Sequence, residues 1–347
     1  MHTSKFQACL LGGAIGDALG YTVEFMNYED IQLQYGKEGI TDLVCDPHSG
    51  KAIISDDTQM TLFTAEGLLW AHMRGRMKGI ASYSSCVFYS YQRWLYTQTG
   101  RLGDSDYSWL LESNSMEYKS PLLDMKELFE RRAPGNTCLS SLSNAKHQQY
   151  GTIENHINNS KGCGGVMRVA PVGLYFHESP ETAFRIAAEC AAITHGQSSG
   201  YLSAGALAYI IAIVINGRDI KRAALSSLEI LTKYEGHEEC LSILRKAIDL
   251  VDQNIDPYEA VTQLGEGWIG EEALAIALYC ALRYPNDFKR ALCLAVNHDG
   301  DSDSTGAICG NILGASLGIE GIPPEWISKV ELSEVIIEMA EDLNINK

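Results

Sequence analysis

Two short acidic motifs carry most of the chemistry this chain could perform. Ser55-Asp56-Asp57-Thr58 and Asp299-Gly300-Asp301-Ser302-Asp303-Ser304-Thr305 lie about 245 residues apart, and each opens a run with helical periodicity. Brought together, they would surround one point with five Asp and several hydroxyls. Bare carboxylates that close repel one another strongly. Hard divalent cations such as Mg²⁺, Mn²⁺ or Ca²⁺ would remove that repulsion. The second motif follows an EF-hand through Asp299, Asp301 and Asp303, but Ser304 and Gly310 stand where that loop needs Gly and Glu. Each motif also has a plainer reading as a helix cap. Ser55 or Asp56 would accept from first-turn amides, Gln59 would close a capping box with Asp56, and Asp303 or Ser304 would cap the second helix. Capping alone does not explain so many carboxylates, and the two motifs together point to a two-metal site.

Three further segments could hold a ligand. In Ser160-Lys161-Gly162-Cys163-Gly164-Gly165-Val166-Met167-Arg168, Gly-rich backbone runs toward a helix, where free amides can bind an anion. It lacks the Gly-Lys-Ser/Thr ending of a Walker loop, and no βαβ pattern surrounds it. Arg168 would neutralise a phosphate or, in the favoured structural role, pair with a core carboxylate. His195, in Thr194-His195-Gly196-Gln197, sits at a junction between two helical runs. Trp268, flanked by Gly267 and Gly270, would either offer an exposed ring for stacking on a base or ribose or pack on the following helix.

The elements that must position these residues are helices. Apolar positions recur at three- and four-residue spacing over 4–20, 58–74, 180–193, 199–215, 219–232, 239–252, 271–283 and 303–317. Strand-like alternation is scarce, and no composition break or linker divides the chain. The expectation is one compact all-α domain over residues 1–347. Gly12, Gly16 and Gly20 recur every four residues, as do Gly306, Gly310, Gly314 and Gly318. Each Gly inside a helix costs about 1 kcal/mol relative to Ala, so close approach of two helix backbones is the expected compensation. The apolar run 201–215 is short for a membrane span and reads as a buried core helix.

Composition narrows the partners. The 347 residues carry 44 Asp plus Glu against 27 Lys plus Arg, a formal net charge of −17. With no basic run, nucleic acid and an anionic membrane are not expected partners. Ten scattered Cys without a CxxC pair suit a reducing cytoplasm rather than a zinc or disulfide framework. The N-terminus shows no apolar signal-peptide stretch.

Taken in order, Gly16-Asp17-Ala18-Leu19-Gly20 with Glu24-Phe25, Ser55-Asp56-Asp57-Thr58, Gly162 to Pro171, Thr194-His195, Gly267 with Glu271-Glu272, and Asp301-x-Asp303-Ser304 resemble the ADP-ribosylglycohydrolase family, which includes the dinitrogenase-reductase-activating glycohydrolases. The resemblance runs from Gly12 to about Gly318. It implies an all-α helical bundle around a central binuclear Mg²⁺ or Mn²⁺ centre. Ser55, Asp56, Asp57, Asp301, Asp303 and Ser304 match the metal ligands, although the family more often has Thr at the first and last. Glu24 matches the catalytic acid near the metals. Ser160, Gly162, Cys163, Gly164, Gly165 and His195 fall on the segments that hold the diphosphate and distal ribose, with Cys163 where members often carry Asn. Trp268 falls at the adenosine end. The implied activity is metal-dependent release of ADP-ribose from a modified protein, with the N-glycosidic bond to arginine favoured by Gly20-Tyr21-Thr22-Val23-Glu24-Phe25. Serine-linked ADP-ribose or a small ADP-ribose ester is the alternative substrate. A non-catalytic ADP-ribose binder, or an inhibitor of a partner ADP-ribosyltransferase, is the alternative function.

Overall fold

The two glycine stripes meet. In the computed structural model, which describes residues 2–112 and 118–346, the first helix (α1, His2–Tyr21) runs antiparallel to a helix near the other end of the chain (Ser302–Leu317). A Cβ added at Gly12, Gly16 or Gly20 would overlap backbone of Gly310, Gly306 or Ser302, and one at Gly314 would overlap Ala8. The backbones therefore touch along the whole crossing, which offsets the propensity cost of the glycines.

Around this pair lie the remaining helices: α2 (Tyr28–Tyr35), α3 (Asp56–Lys78), α4 (Tyr83–Thr99), α5 (Asn136–Asn144), α6 (Ala170–Tyr175), α7 (Pro180–Ala192), α8 (Ser198–Ile215) and α9 (Ile220–Leu231). They are followed by α10 (Glu238–Val251), α11 (Pro257–Thr262), α12 (Gly270–Arg283), α13 (Phe288–Val296), the glycine-striped α14 (Ser302–Leu317), α15 (Pro324–Lys329) and α16 (Ser333–Ile345). Among the described residues there is no β-strand, only isolated bridges between Ala52 and Val330 and between Gly162 and Ile269. All eight helices expected from periodicity are present. α8, long and apolar enough by composition to cross a membrane, is instead 89% buried. It packs against α6, α7, α9, α12 and α14.

The helix that carries the first acidic motif is closed at both ends. Ser55 is the N-cap of α3 and accepts from Asp57 N at 3.2 Å, while Gly79 in the left-handed region ends it. Asp56 and Asp57 in the first turn, and Arg76 and Lys78 in the last, complement the helix dipole. The expected capping box does not form. Gln59 is drawn into the core, where Nε2 donates to Glu130 O and Oε1 accepts from Trp94 Nε1 and Gln98 Nε2. At α14 the cap is Asp301, whose carboxylate accepts from Ser304 N, rather than Asp303 or Ser304.

Candidate active site

The N-termini of α3 and α14 point into one cavity of about 690 Å³. Its walls include Asp56 and Asp57 from the first motif and Asp301, Asp303 and Ser304 from the second. Glu24, three residues beyond α1, completes the acidic wall. The fifth motif carboxylate does not join them. Asp299 turns away and accepts the Tyr28 amide at the start of α2, at 2.6 Å.

Another carboxylate stands behind the wall. Asp17, fully buried in α1, accepts from Ser55 N at 2.9 Å, from Thr58 N at 3.0 Å and from the Thr58 hydroxyl. It fastens the first turn of α3 to α1 and so fixes where Asp56 and Asp57 point. In the sequence Asp17 stood within the Gly16–Gly20 motif of the family resemblance, an Asp in a glycine-rich helix with no role attached to it. Burial pushes the Asp17 carboxyl up to about 6, against the pull of the Thr58 and Ser55 hydrogen bonds.

The electrostatics of the wall are those of a cation site. Burial, then the mutual repulsion of the acids, raises Asp56, Asp57 and Asp303 well above the usual carboxylate range. Glu24 is pushed up to about 9 by burial and then by Asp301, Asp56 and Asp17. Two buried oxygens, Asp57 Oδ2 and Glu24 Oε2, have no hydrogen-bond partner. Unpaired buried carboxylate oxygens are costly, and hard divalent cations are the chemistry that satisfies them. The donor set therefore fits the metal the sequence implied. A different group, Asp104, Asp106 and His147, brings three candidate ligand atoms within 4.8 Å of one another. It does not line the cavity, and Asp104 is there engaged in capping the 3₁₀ turn Ser105–Leu111.

Against the acids packs the Gly162–Gly165 loop. It is held by Cys163 N donating to Trp268 O at 3.1 Å and Gly270 N donating to Lys161 O at 2.8 Å. The Cys163 amide is thus used internally and is not free for an anion. Gly162, Cys163 and Gly164 line the cavity. Cys163 Sγ lies 2.6 Å from Asp301 Oδ2 and donates to it, and burial with the nearby Asp301 and Asp57 pushes the thiol well up. Lys161 is committed to Glu271 at 2.7 Å and Glu239 at 2.8 Å. Ser160, Gly165 and Ser55 do not line the cavity. Ser160 supports the loop through Thr137 Oγ1 at 3.1 Å, and Ser55 acts as the cap of α3. His195 reaches the wall beside Gly164. Trp268 is 40% exposed at the mouth, its ring nearly parallel to the 76% exposed Phe25 with centroids 6.3 Å apart.

The α14 side of the mouth depends on one backbone torsion. Gly300, with φ +119°, lets Asp301 N reach Glu266 O at 2.8 Å, which ties the Trp268 loop to the acidic motif. The pocket also contains a residue the motifs did not flag. Arg131 is the one Lys or Arg among the lining residues described. It lies in an exposed segment with no helical periodicity, so its proximity to the cavity was not readable from the chain.

A model of the family described as ADP-ribosylglycohydrolase matches residues 1–347. The chain belongs to that family. Its fold is the family's fold: a solved structure titled an ADP-ribosylglycohydrolase-related protein complex superposes with a TM-score of 0.60 at 23% identity, covering 99% of this chain and 98% of that one. Among curated relatives, the ADP-ribosylarginine hydrolase Tri1 of Pseudomonas putida is 24% identical over 98% of this chain and 77% of its own length. The ADP-ribosyl-[dinitrogen reductase] glycohydrolase of Rhodospirillum rubrum is 25% identical over 93% and 88%. The ADP-ribosylhydrolase ARH3 of Mus musculus is 29% identical over 53% of this chain and 57% of its own. Family membership makes this chain an ADP-ribosyl hydrolase.

Proposed function

We propose that this enzyme releases ADP-ribose from arginine side chains of modified proteins in the cytoplasm, using two Mg²⁺ or Mn²⁺ ions. The observation that carries the reading is the convergence of Asp56, Asp57, Asp301, Asp303 and Glu24 on one cavity with two buried carboxylate oxygens left unpaired. Arginine is favoured by the likeness to Tri1 of Pseudomonas putida, which is named for that linkage and is matched over 98% of this chain. Serine-linked ADP-ribose is the second reading, since the match to the ADP-ribosylhydrolase ARH3 carries no arginine in its name. Ten free cysteines, most of them buried, suit a reducing compartment.

In this mechanism Asp56, Asp57, Asp301, Asp303 and Ser304, which line the cavity, would hold the cations, and Ser55, capping α3, would position Asp56 and Asp57. When bound, the cations supply a Lewis-acidic seat for the ribose hydroxyls and stabilise negative charge. The chain's own residues do the rest. Glu24 Oε2 lacks a protein partner and acts as general acid/base, taking a proton from the water that attacks the anomeric carbon. The bond from the anomeric carbon to the guanidino nitrogen breaks as the water oxygen bonds to that carbon, through an oxocarbenium-like transition state, and the proton taken up by Glu24 passes to the departing guanidine nitrogen. The Gly162–Gly164 loop and His195 face the diphosphate, Arg131 supplies the cationic side chain that a strongly anionic protein otherwise withholds, and Trp268 with Phe25 flanks the adenosine end.

The test is ADP-ribose release from arginine- and serine-modified proteins in parallel, with Mg²⁺, with Mn²⁺ and with EDTA. Metal-dependent release from arginine is expected. Release from serine alone would keep the mechanism and overturn the linkage. Full turnover in excess chelator would overturn the metal centre.

A further inference from the structure

Arg168 is fully buried, yet among the described residues no carboxylate pairs with it. Its guanidinium stacks over Tyr91, 4.2 Å from the ring centroid. Nη1 faces two sulfurs, Met60 Sδ and Cys138 Sγ, each at 3.4 Å. Nη2 donates to Cys190 O at 3.3 Å and, more closely, to Thr194 Oγ1 at 2.7 Å. Desolvating a guanidinium without an anion is expensive, so a specific use for the group is expected. The short bond to Thr194 shows where that use lies.

Thr194 Oγ1 is also 2.8 Å from His195 Nδ1. A guanidinium can only donate, so Oγ1 accepts from Arg168 and sends its own proton elsewhere. Its nearby acceptors are His195 Nδ1 at 2.8 Å, Ala191 O at 3.5 Å and the weakly accepting sulfur of Cys138, which already takes Arg168 Nη1. Nδ1 is the closest and strongest acceptor, so Nδ1 is the unprotonated nitrogen. Burial, then Arg168, pushes His195 down to about 3, which keeps the ring neutral with a single proton. That proton is left on Nε2, the nitrogen that makes no protein hydrogen bond and lies beside Gly162 and Gly164 in the cavity.

We propose that Arg168 and Thr194 lock the tautomer of His195, so that Nε2–H is a fixed donor to an anionic oxygen of the ligand. This rests on the ADP-ribose reading, in which that oxygen belongs to the diphosphate. The lock also denies His195 two other roles, since a protonated Nε2 is neither a general base nor a metal ligand. Arg168 and Thr194 are positioning residues: neither lines the cavity, and both act through the ring.

The experiment is a ¹H–¹⁵N imidazole spectrum of the metal-loaded enzyme at neutral pH, with His195 assigned from His195→Gln, alongside calorimetric binding of ADP-ribose. The wild type should show a pyrrole-type Nε2 and a pyridine-type Nδ1. Thr194→Val keeps the side-chain shape and removes the hydroxyl. It should move the ring toward Nδ1–H or a mixture and weaken ADP-ribose about five- to tenfold, with KM rising more than kcat falls. Thr194→Ser should restore both. A wild-type ring protonated on Nδ1 overturns the lock without any variant, as does Thr194→Val that keeps Nε2–H and full affinity. A wild-type spectrum as described, with no ADP-ribose binding at all, would overturn the ligand assignment and leave the tautomer lock standing.

Discussion

Gly16→Ala and Gly75→Ala make the same chemical change in two buried-side helices and should shift stability in opposite directions. In a helix interior Ala is favoured over Gly by about 1 kcal/mol. At Gly75, in α3, the new methyl would meet only Ala81 Cβ, at 3.9 Å, an ordinary contact. Most of the propensity gain should survive, about 0.5–1 kcal/mol. At Gly16 the methyl would overlap the Gly306 carbonyl and the Ala307 amide, all backbone, with no side chain free to swing away. Relief requires α1 and α14 to separate along a crossing whose contacts are backbone on backbone. Overpacking of this kind costs about 1–3 kcal/mol and more where nothing can yield, and a gap of under 1 Å forfeits a quarter to a half of each dispersion contact along the seam. Taking about 3–4 kcal/mol for the clash and subtracting the propensity gain leaves a net loss of about 2–3 kcal/mol. At about 2 °C per kcal/mol for a chain of this size, the melting temperature should fall by about 5 °C for Gly16→Ala and rise by 1–2 °C for Gly75→Ala. Far-ultraviolet circular dichroism on melting, with and without Mg²⁺, reads both. A Gly16→Ala protein as stable as the wild type would refute the argument that direct backbone contact determines this helix pair.

Other expectations follow from the acidic wall and its surroundings. In EDTA the melting temperature should fall as pH rises from about 5 to 9, because the unfolded chain releases these protons near pH 4 while the folded chain holds them longer, Glu24 to about 9. The unfolded state then binds fewer protons, so stability drops with pH, and Mg²⁺ or Mn²⁺ should flatten the slope; a pH-independent melt in EDTA would sink the idea. Glu24→Gln should lower kcat by about 10²–10⁴-fold with ADP-ribose still bound, as seen by single-turnover release and calorimetry; near-normal kcat would remove Glu24 from the chemistry. Arg131→Ala should weaken ADP-ribose binding several-fold at low salt and flatten its salt dependence; an unchanged salt slope would place Arg131 outside the ligand's field.

What the sequence disclosed and what it hid divide along a physical line. Helices α1, α3, α7–α10, α12 and α14 were legible because each presents helical periodicity or a small-residue stripe. α4 was not, although it runs for 17 residues, because Tyr, Ser and Thr dominate it and have only middling helix propensity; burial of Phe88, Tyr91 and Trp94 holds it in place. The acidic wall was legible for a different reason. Carboxylates at two helix starts are locally conspicuous, and only their convergence needed the fold. Asp299 looked equivalent to Asp301 and Asp303, yet its orientation depends on where α2 begins, a contact 271 residues away in sequence. Asp17 and Arg168 were hardest to place because their importance lies in what they touch. One is a carboxylate that orients ligands without facing the cavity, and the other is a cation whose partner is a hydroxyl. Composition and spacing report which groups are available, whereas the proton on His195 Nε2 depends on Thr194 Oγ1 and His195 Nδ1, just past α7, meeting Arg168 Nη2, just before α6. The identity of a donor in this pocket is therefore a property of tertiary packing, even though every residue that sets it was visible in the sequence.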